Sequence, residues 1–157
     1  MSDARLALDL PDAEAAAALA ERLAPSLGGG DCLLLSGPVG AGKSHFARHV
    51  ILALLPEPED VPSPTFTLVQ TYETPAFDIW HCDLYRLSGP EDAFELGLDD
   101  AFDTALCLVE WPDRLGAYIP RNALELRFSH TADGRGRHLE IRGARKRWSG
   151  VLEALNG

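Results

Sequence analysis

A chain of 157 residues, 46% apolar and 24% charged, has enough hydrophobic surface for one core, and no linker, low-complexity tract or repeat divides it. Fourteen basic against twenty-four acidic side chains give a formal charge of −10, which repels nucleic-acid phosphates and anionic bilayers and excludes direct RNA binding except through a local basic patch. No apolar run approaches the ~20 residues of a membrane span and the N-terminus lacks a basic-then-apolar signal layout, so a single cytoplasmic domain over 1–157 is expected.

Residues 5–10 alternate polar and apolar and read as a short strand, after which Asp12 can cap an Ala-rich helix running to about residue 24. Gly28, Gly29 and Gly30 end it. Residues 32–35 are continuously apolar, as expected of a strand covered on both faces, and a glycine-rich turn follows. From 43 to 55, Phe46, Ala47, Val50, Ile51 and Leu54 recur at three and four residues, the period of a helix with one buried face, until Pro56 and Pro58 stop it. Residues 66–72 and 77–83 read as paired strands across a turn with Thr74 and Pro75. Pro90 and Glu91 open a short helix toward Leu96, and 105–109 is another buried strand. Residues 123–128 and 138–141 suggest a hairpin around Asp133 to Gly136, and a last helix spans about 144–155. Early strand–helix alternation with later hairpins predicts a three-layer α/β fold with a mixed, mostly parallel sheet. Cys32, Cys82 and Cys107 are far apart inside apolar segments, which predicts buried, reduced thiols.

Gly37, Pro38, Val39, Gly40, Ala41, Gly42, Lys43 and Ser44 match G-x-x-x-x-G-K-[ST] without a mismatch, between an apolar strand and a periodic helix. This placement lets successive amides converge on a phosphate at the positive end of the helix. Gly40 and Gly42 permit the backbone angles the turn needs. Pro38 has no amide to give, which matters little if the cradle draws on amides from Gly40 onward. Lys43 can reach the β- and γ-phosphates and Ser44 can offer its hydroxyl to Mg2+, so ATP or ADP with magnesium is the expected ligand.

Such a site also needs a carboxylate at a strand's carboxyl end. Glu110, which closes the apolar run 106–109, is the first choice, and Asp83, at the end of 77–83, is the second. Ser63, Pro64 and Thr65 follow the loop helix, where Pro64 favours extended geometry and Thr65 can act as part of a γ-phosphate switch or simply lead into a strand. His45 and His49 lie one helical turn apart, but the Glu of H-E-x-x-H and a third ligand are missing, so packing or exposure is expected rather than zinc. Arg135, Arg137, Arg142, Arg145, Lys146 and Arg147 form a basic cluster that reads as a solvated or salt-bridging rim, or as a contact for a partner or RNA.

Behind GPVGAGKS, the blocks SPTFTL at 63–68, HCDLYRL at 81–87, ELGL at 95–98 and VEWP at 109–112 follow in an order that closely resembles the bacterial TsaE (YjeE) family. That family is the ATPase component of tRNA threonylcarbamoyladenosine biosynthesis. The similarity runs from about Leu10 to Asp113. It implies a P-loop NTPase fold and a weak ATPase that supports modification of the adenosine beside the anticodon by acting on TsaD and TsaB, meeting tRNA only through that complex. By the same resemblance Lys43 binds phosphate, Ser44 and Glu110 ligate magnesium, Asp83 is a second essential acid, Thr65 belongs to a switch, and Trp111 adjoins the site and reports nucleotide by fluorescence. The chain departs from the family's usual pattern at Pro38 and Val39, where an acid and Leu are common, at Ser44 and His45, where Thr-Thr is common, and at Ala16, where Thr is common near the start of the first helix.

Two other function classes fit a P-loop. A small-molecule kinase carries an arginine-rich lid, whereas Arg48 and Arg86 are the only arginines between Gly37 and Asp113. A binding module that reads nucleotide state without chemistry would not need Glu110 or Asp83.

Overall fold

Apolar residues at alternate positions on opposite faces of the central strands build a core on both sides of one sheet. The computed structural model describes residues 3–64 and 67–156. In chain order the elements are β1 (Asp3–Leu10), α1 (Ala13–Leu23), β2 (Cys32–Ser36), α2 (Lys43–Leu54), β3 (Val69–Glu73), β4 (Asp78–Asp83), α3 (Pro90–Glu95), α4 (Leu98–Thr104), β5 (Leu106–Glu110), β6 (Leu124–His130), β7 (Arg137–Ala144) and α5 (Arg145–Asn156), with 3-10 turns at Ala24–Ser26 and Pro112–Tyr118. The strands lie in the order β1-β7-β6-β2-β5-β4-β3. Neighbours β6, β2, β5 and β4 are parallel, β1 points the same way through its antiparallel partner β7, and β7 and β3 run against them. The sheet is therefore mixed and mostly parallel, in three layers.

Leu33 and Leu35 of β2 and Leu106 and Leu108 of β5 face one core, where Ala20 and Leu23 of α1, Phe46 and Ile51 of α2 and Trp148 and Leu152 of α5 pack. Their neighbours Cys32, Leu34, Cys107 and Val109 face the other, beneath Ala93 of α3, Leu98 and Ala101 of α4 and Leu115. Full burial of a side chain such as Phe46 or Ile51 contributes about 1.5–3 kcal/mol. Beyond β2 the second face is uncovered. There β6 alternates buried Leu124, Leu126 and Phe128 with polar Glu125, Arg127 and Ser129, which is why the late hairpin is readable from its pattern.

Asp12 caps α1 as expected, its Oδ1 accepting from Ala15 N–H at 2.8 Å. Two expectations shift. The strand predicted at 66–72 begins at Val69, because Leu68 turns the chain in the left-handed region (φ +69°), its N–H donating to Pro64 O and its carbonyl accepting from Asp83 N–H. Phe66 lies outside the described residues. The short helix near Leu96 is followed, across Gly97 (φ +87°), by α4, whose Leu98, Ala101 and Phe102 have the spacing of a helix but form too short a stripe to stand out in the sequence. The three cysteines are free and buried as expected, and burial pushes the Cys107 thiol up to about 12. Among the described residues no helix is long and apolar enough to cross a membrane.

Candidate functional site

The loop between β2 and α2 leaves the sheet at its carboxyl edge. Gly37 (φ +139°) sits so close to β6 that a Cβ would stand 2.4 Å from Phe128 O. Gly40 (φ +81°) and Gly42 (φ +100°) also need left-handed backbone, yet a Cβ on either would meet nothing within 4 Å. Space is open where a phosphate would lie. Pro38 serves the turn as an acceptor, its carbonyl taking the Ala41 N–H at 3.1 Å. Phe46 N–H donates to Gly42 O at 3.0 Å, which starts α2 and leaves the amides of Gly42, Lys43, Ser44 and His45 without carbonyl partners inside the helix.

Lys43 Nζ donates to Gly37 O at 2.6 Å and stands 3.6 Å from the centroid of the Trp111 ring. Burial pushes its ammonium below the ordinary lysine value, while Glu110, Asp83 and Asp113 pull it back up. Trp111 itself is held in the left-handed region (φ 59°, ψ 54°), a conformation that costs a non-glycine residue roughly 1–2 kcal/mol and is met most often at functional sites. Its N–H donates to Leu35 O at 3.2 Å, tying the end of β5 to the end of β2.

Parallel pairing of β4 with β5 sets Asp83 directly beside Glu110. Ser44 Oγ lies 2.9 and 2.8 Å from Glu110 Oε1 and Oε2, and His81 Nε2 lies 2.7 Å from Glu110 Oε2. Asp83 Oδ1 accepts from Tyr85 N–H at 3.1 Å. Of the five buried polar or charged residues among those described, Lys43, His81, Asp83 and Glu110 gather here, leaving only Asp31 elsewhere. Buried charge is expensive unless paired, so its concentration marks this place as the chemical site.

A cleft of about 560 Å³ opens here, walled by Val39, Gly40 and 42–45, by Asp83, Tyr85 and Arg86, and by Glu110 with Trp111. A second cleft of about 490 Å³ lies between α3, α4 and the 3-10 turn, lined by Phe94, Phe102 and Tyr118; none of the buried ionisable side chains reaches it. The lining of the first cleft suits a nucleotide triphosphate: the amino end of α2, the Lys43 ammonium and open space at Gly40 and Gly42 border it. Ser44, Glu110 and Asp83 offer hard oxygen donors that suit Mg2+. No group of three or more His, Cys, Asp or Glu capable of caging a metal occurs among the described residues.

Of the residues singled out in the sequence, Val39, Gly40, Gly42, Lys43, Ser44, Asp83, Glu110 and Trp111 line this cleft, while Gly37, Pro38 and Ala41 form the turn behind it. Thr65 lies outside the described residues. His45 and His49 stack edge-on with centroids 4.6 Å apart, and His45 Nε2 bonds to Ala13 O at 3.0 Å, which is packing. Ala16 is buried in the core and lines none of the cleft. The basic cluster is partly a salt-bridging rim, with Arg142 on Glu125 at 2.8 Å and Arg147 on Asp31 at 2.7 Å. One residue escaped the sequence reading and one was read for another role. His81 stands two positions before Asp83 on a strand, so the two-residue period placed it on the same face and was the available signal. Arg137, read in the sequence as part of the basic cluster, instead touches the phosphate loop with its guanidinium, a contact that nothing in its local sequence announced.

A family model described as Threonylcarbamoyl adenosine biosynthesis protein TsaE matches residues 10–139. The tRNA threonylcarbamoyladenosine biosynthesis protein TsaE of Rickettsia bellii (strain RML369-C) is 42% identical over 107 residues, 68% of this chain and 74% of that protein. The protein of the same name from Rickettsia felis (strain ATCC VR-1525 / URRWXCal2) is 47% identical over 95 residues, covering 60% of this chain and 56% of its own length. The one from Bacillus subtilis (strain 168) is 33% identical over 105 residues, 66% of this chain and 65% of its own. The crystal structure of Bacillus subtilis YdiB superposes with a TM-score of 0.79 over 99% of this chain and 97% of that one, at 24% identity, a likeness of fold.

Proposed function

The chain belongs to the TsaE family, and from that premise we propose that it is an ATP-binding protein with weak ATPase activity that supports formation of threonylcarbamoyladenosine in tRNA. Its whole length, 1–157, works as one nucleotide-binding domain in the cytoplasm, acting on a TsaD–TsaB complex and meeting tRNA through that complex. The observation that carries this reading is the convergence of Lys43, Ser44, Asp83 and Glu110 at the carboxyl ends of β2, β4 and β5, beside a loop with open glycines.

In this reading the amides of Gly40 and 42–44 and the Lys43 ammonium bind the β- and γ-phosphates, with Gly37, Pro38, Val39 and Ala41 shaping the turn. Ser44, Glu110 and Asp83 hold magnesium, which when bound offsets phosphate charge. Glu110 and Asp83 also orient the attacking water, and Thr65 acts in a switch that senses the γ-phosphate. Val39 and Tyr85, 79% and 50% exposed, stand as apolar surface at the cleft's mouth, where a partner would cover both the residues and the nucleotide. A cleft shielded only by a partner accounts for slow hydrolysis by the chain alone.

Reconstitution with TsaD, TsaB, tRNA and threonylcarbamoyl-adenylate tests the proposal. Repeated turnover of modification is expected with ATP and not with a non-hydrolysable analogue. No association with the partners in any nucleotide state rejects it.

A further inference from the structure

Arg137, the first residue of β7, reaches the phosphate loop from outside the cleft. Its Nε donates to Ala41 O at 3.2 Å and its Nη2 to Gly40 O at 3.1 Å, while Nη1 is held by Gly136 O at 2.9 Å. A trans peptide unit points its C=O and N–H in opposite directions. Holding the Ala41 carbonyl toward Arg137 therefore turns the Gly42 N–H away from it, and holding the Gly40 carbonyl turns the Ala41 N–H toward Pro38 O, which closes the turn at 3.1 Å. Gly40 and Gly42 line the cleft and Arg137 does not.

Left to itself this stretch is poorly determined. With left-handed Gly42 following it, the Ala41–Gly42 peptide unit can flip at little cost, and the flipped unit aims a carbonyl oxygen, not an amide, at an incoming phosphate; the Gly40–Ala41 unit is tied only by the Ala41 N–H to Pro38 O. The hairpin tip that carries Arg137 is by contrast well anchored. Thr131 N–H donates to Gly136 O at 3.2 Å, Gly136 N–H donates back to Thr131 Oγ1 at 3.1 Å, and a Cβ on Gly136 would stand 2.6 Å from Leu10 O.

We propose that Arg137 is a positioning residue for nucleotide binding: its guanidinium braces the two outward carbonyls of the phosphate loop, which turns the Gly42 amide toward the phosphates and holds the turn closed through the Ala41 N–H. The inference rests on the loop being a nucleotide site. Three donors of one planar fork take three carbonyls, a task the point charge of lysine cannot repeat.

Calorimetric titration of the full chain with ADP and with ATP tests it, alongside hydrogen exchange of the amides of 40–44 without nucleotide. Arg137→Ala is expected to weaken both nucleotides about tenfold, with turnover at saturating ATP changed by less than about twofold, because uniform binding is lost. The same variant speeds exchange across the loop, Arg137→Lys fails to restore affinity, and Arg135→Ala, a neighbouring exposed cation, leaves affinity unchanged. Equal affinity in Arg137→Ala and wild type overturns the brace alone, as does an equal loss in Arg135→Ala, which would assign the effect to net charge. A wild-type chain that binds no nucleotide would instead overturn the reading beneath it and the brace together.

Discussion

The Ser44 hydroxyl stands 2.9 and 2.8 Å from the two carboxylate oxygens of Glu110, across 66 residues of sequence. A hydroxyl has one hydrogen, so it is shared between the two oxygens. The same groups can turn three lone-pair-bearing oxygens to a hard dication in place of that hydrogen. His81, 2.7 Å from Glu110 Oε2, fixes the carboxylate from the far side.

Glu110→Gln keeps the side chain's shape and removes its charge. Hydrolysis measured by phosphate release is expected to fall by at least about a hundredfold, the scale of a lost general base. His81→Ala leaves the buried carboxylate with one donor fewer and is expected to cost about 1–3 kcal/mol in urea unfolding. The two changes act on one contact, so the double variant should lose less stability than the sum of the single losses; additive losses would separate His81 from Glu110.

Glycines 37 and 40 both have positive φ but fail differently when a methyl group is added. At Gly37 the Cβ is driven against Phe128 O, so Gly37→Ala is expected to destabilise the fold by about 2 kcal/mol or more, read as a clear fall in the thermal midpoint. At Gly40 the added Cβ enters open space, so Gly40→Ala should cost only about 1–2 kcal/mol of left-handed strain while losing most ATP affinity. Calorimetry of melting and of binding on both variants separates the two effects.

Nucleotide should be visible in the emission of Trp111, because Lys43 Nζ leaves the face of its ring for the phosphates. With Trp80 and Trp148 replaced by Phe, ATP is expected to change the remaining emission in a saturable way. Lys43→Ala should abolish the change. Emission that ignores ATP while calorimetry reports binding would place Lys43 elsewhere in the bound state.

Outside the site, the Asp9 carboxylate 2.7 Å from His138 Nδ1 holds that imidazole above the usual histidine range, with burial opposing and Glu140 assisting. A raised folded value favours the protonated form in the fold. Its contribution is fully present below about pH 6.5, the unfolded value, and is lost as pH rises through the raised one. The pair is largely solvated, so the effect stays below about 1 kcal/mol. Asp9→Asn should therefore lower the urea midpoint at about pH 5.5 and leave it unchanged at about pH 8.5. A loss of equal size at both values would tie Asp9 to packing instead.

Local patterns carried the elements and the heart of the site. Eight contiguous residues, Gly37 to Ser44, define a phosphate loop because converging amides need only neighbours in sequence, and an apolar strand ending in Glu110 announces a carboxylate because burial and its end lie within five residues. The periods of α1, α2, β2 and β5 were legible for the same reason. Strand pairing decided the rest. The order β1-β7-β6-β2-β5-β4-β3 sets Asp83 beside Glu110, brings His81 onto that carboxylate, and carries Arg137 to the Gly40 and Ala41 carbonyls, 97 and 96 positions away. Such contacts depend on which distant strands become neighbours, a choice made by packing over the whole sheet, and no window of local sequence contains it.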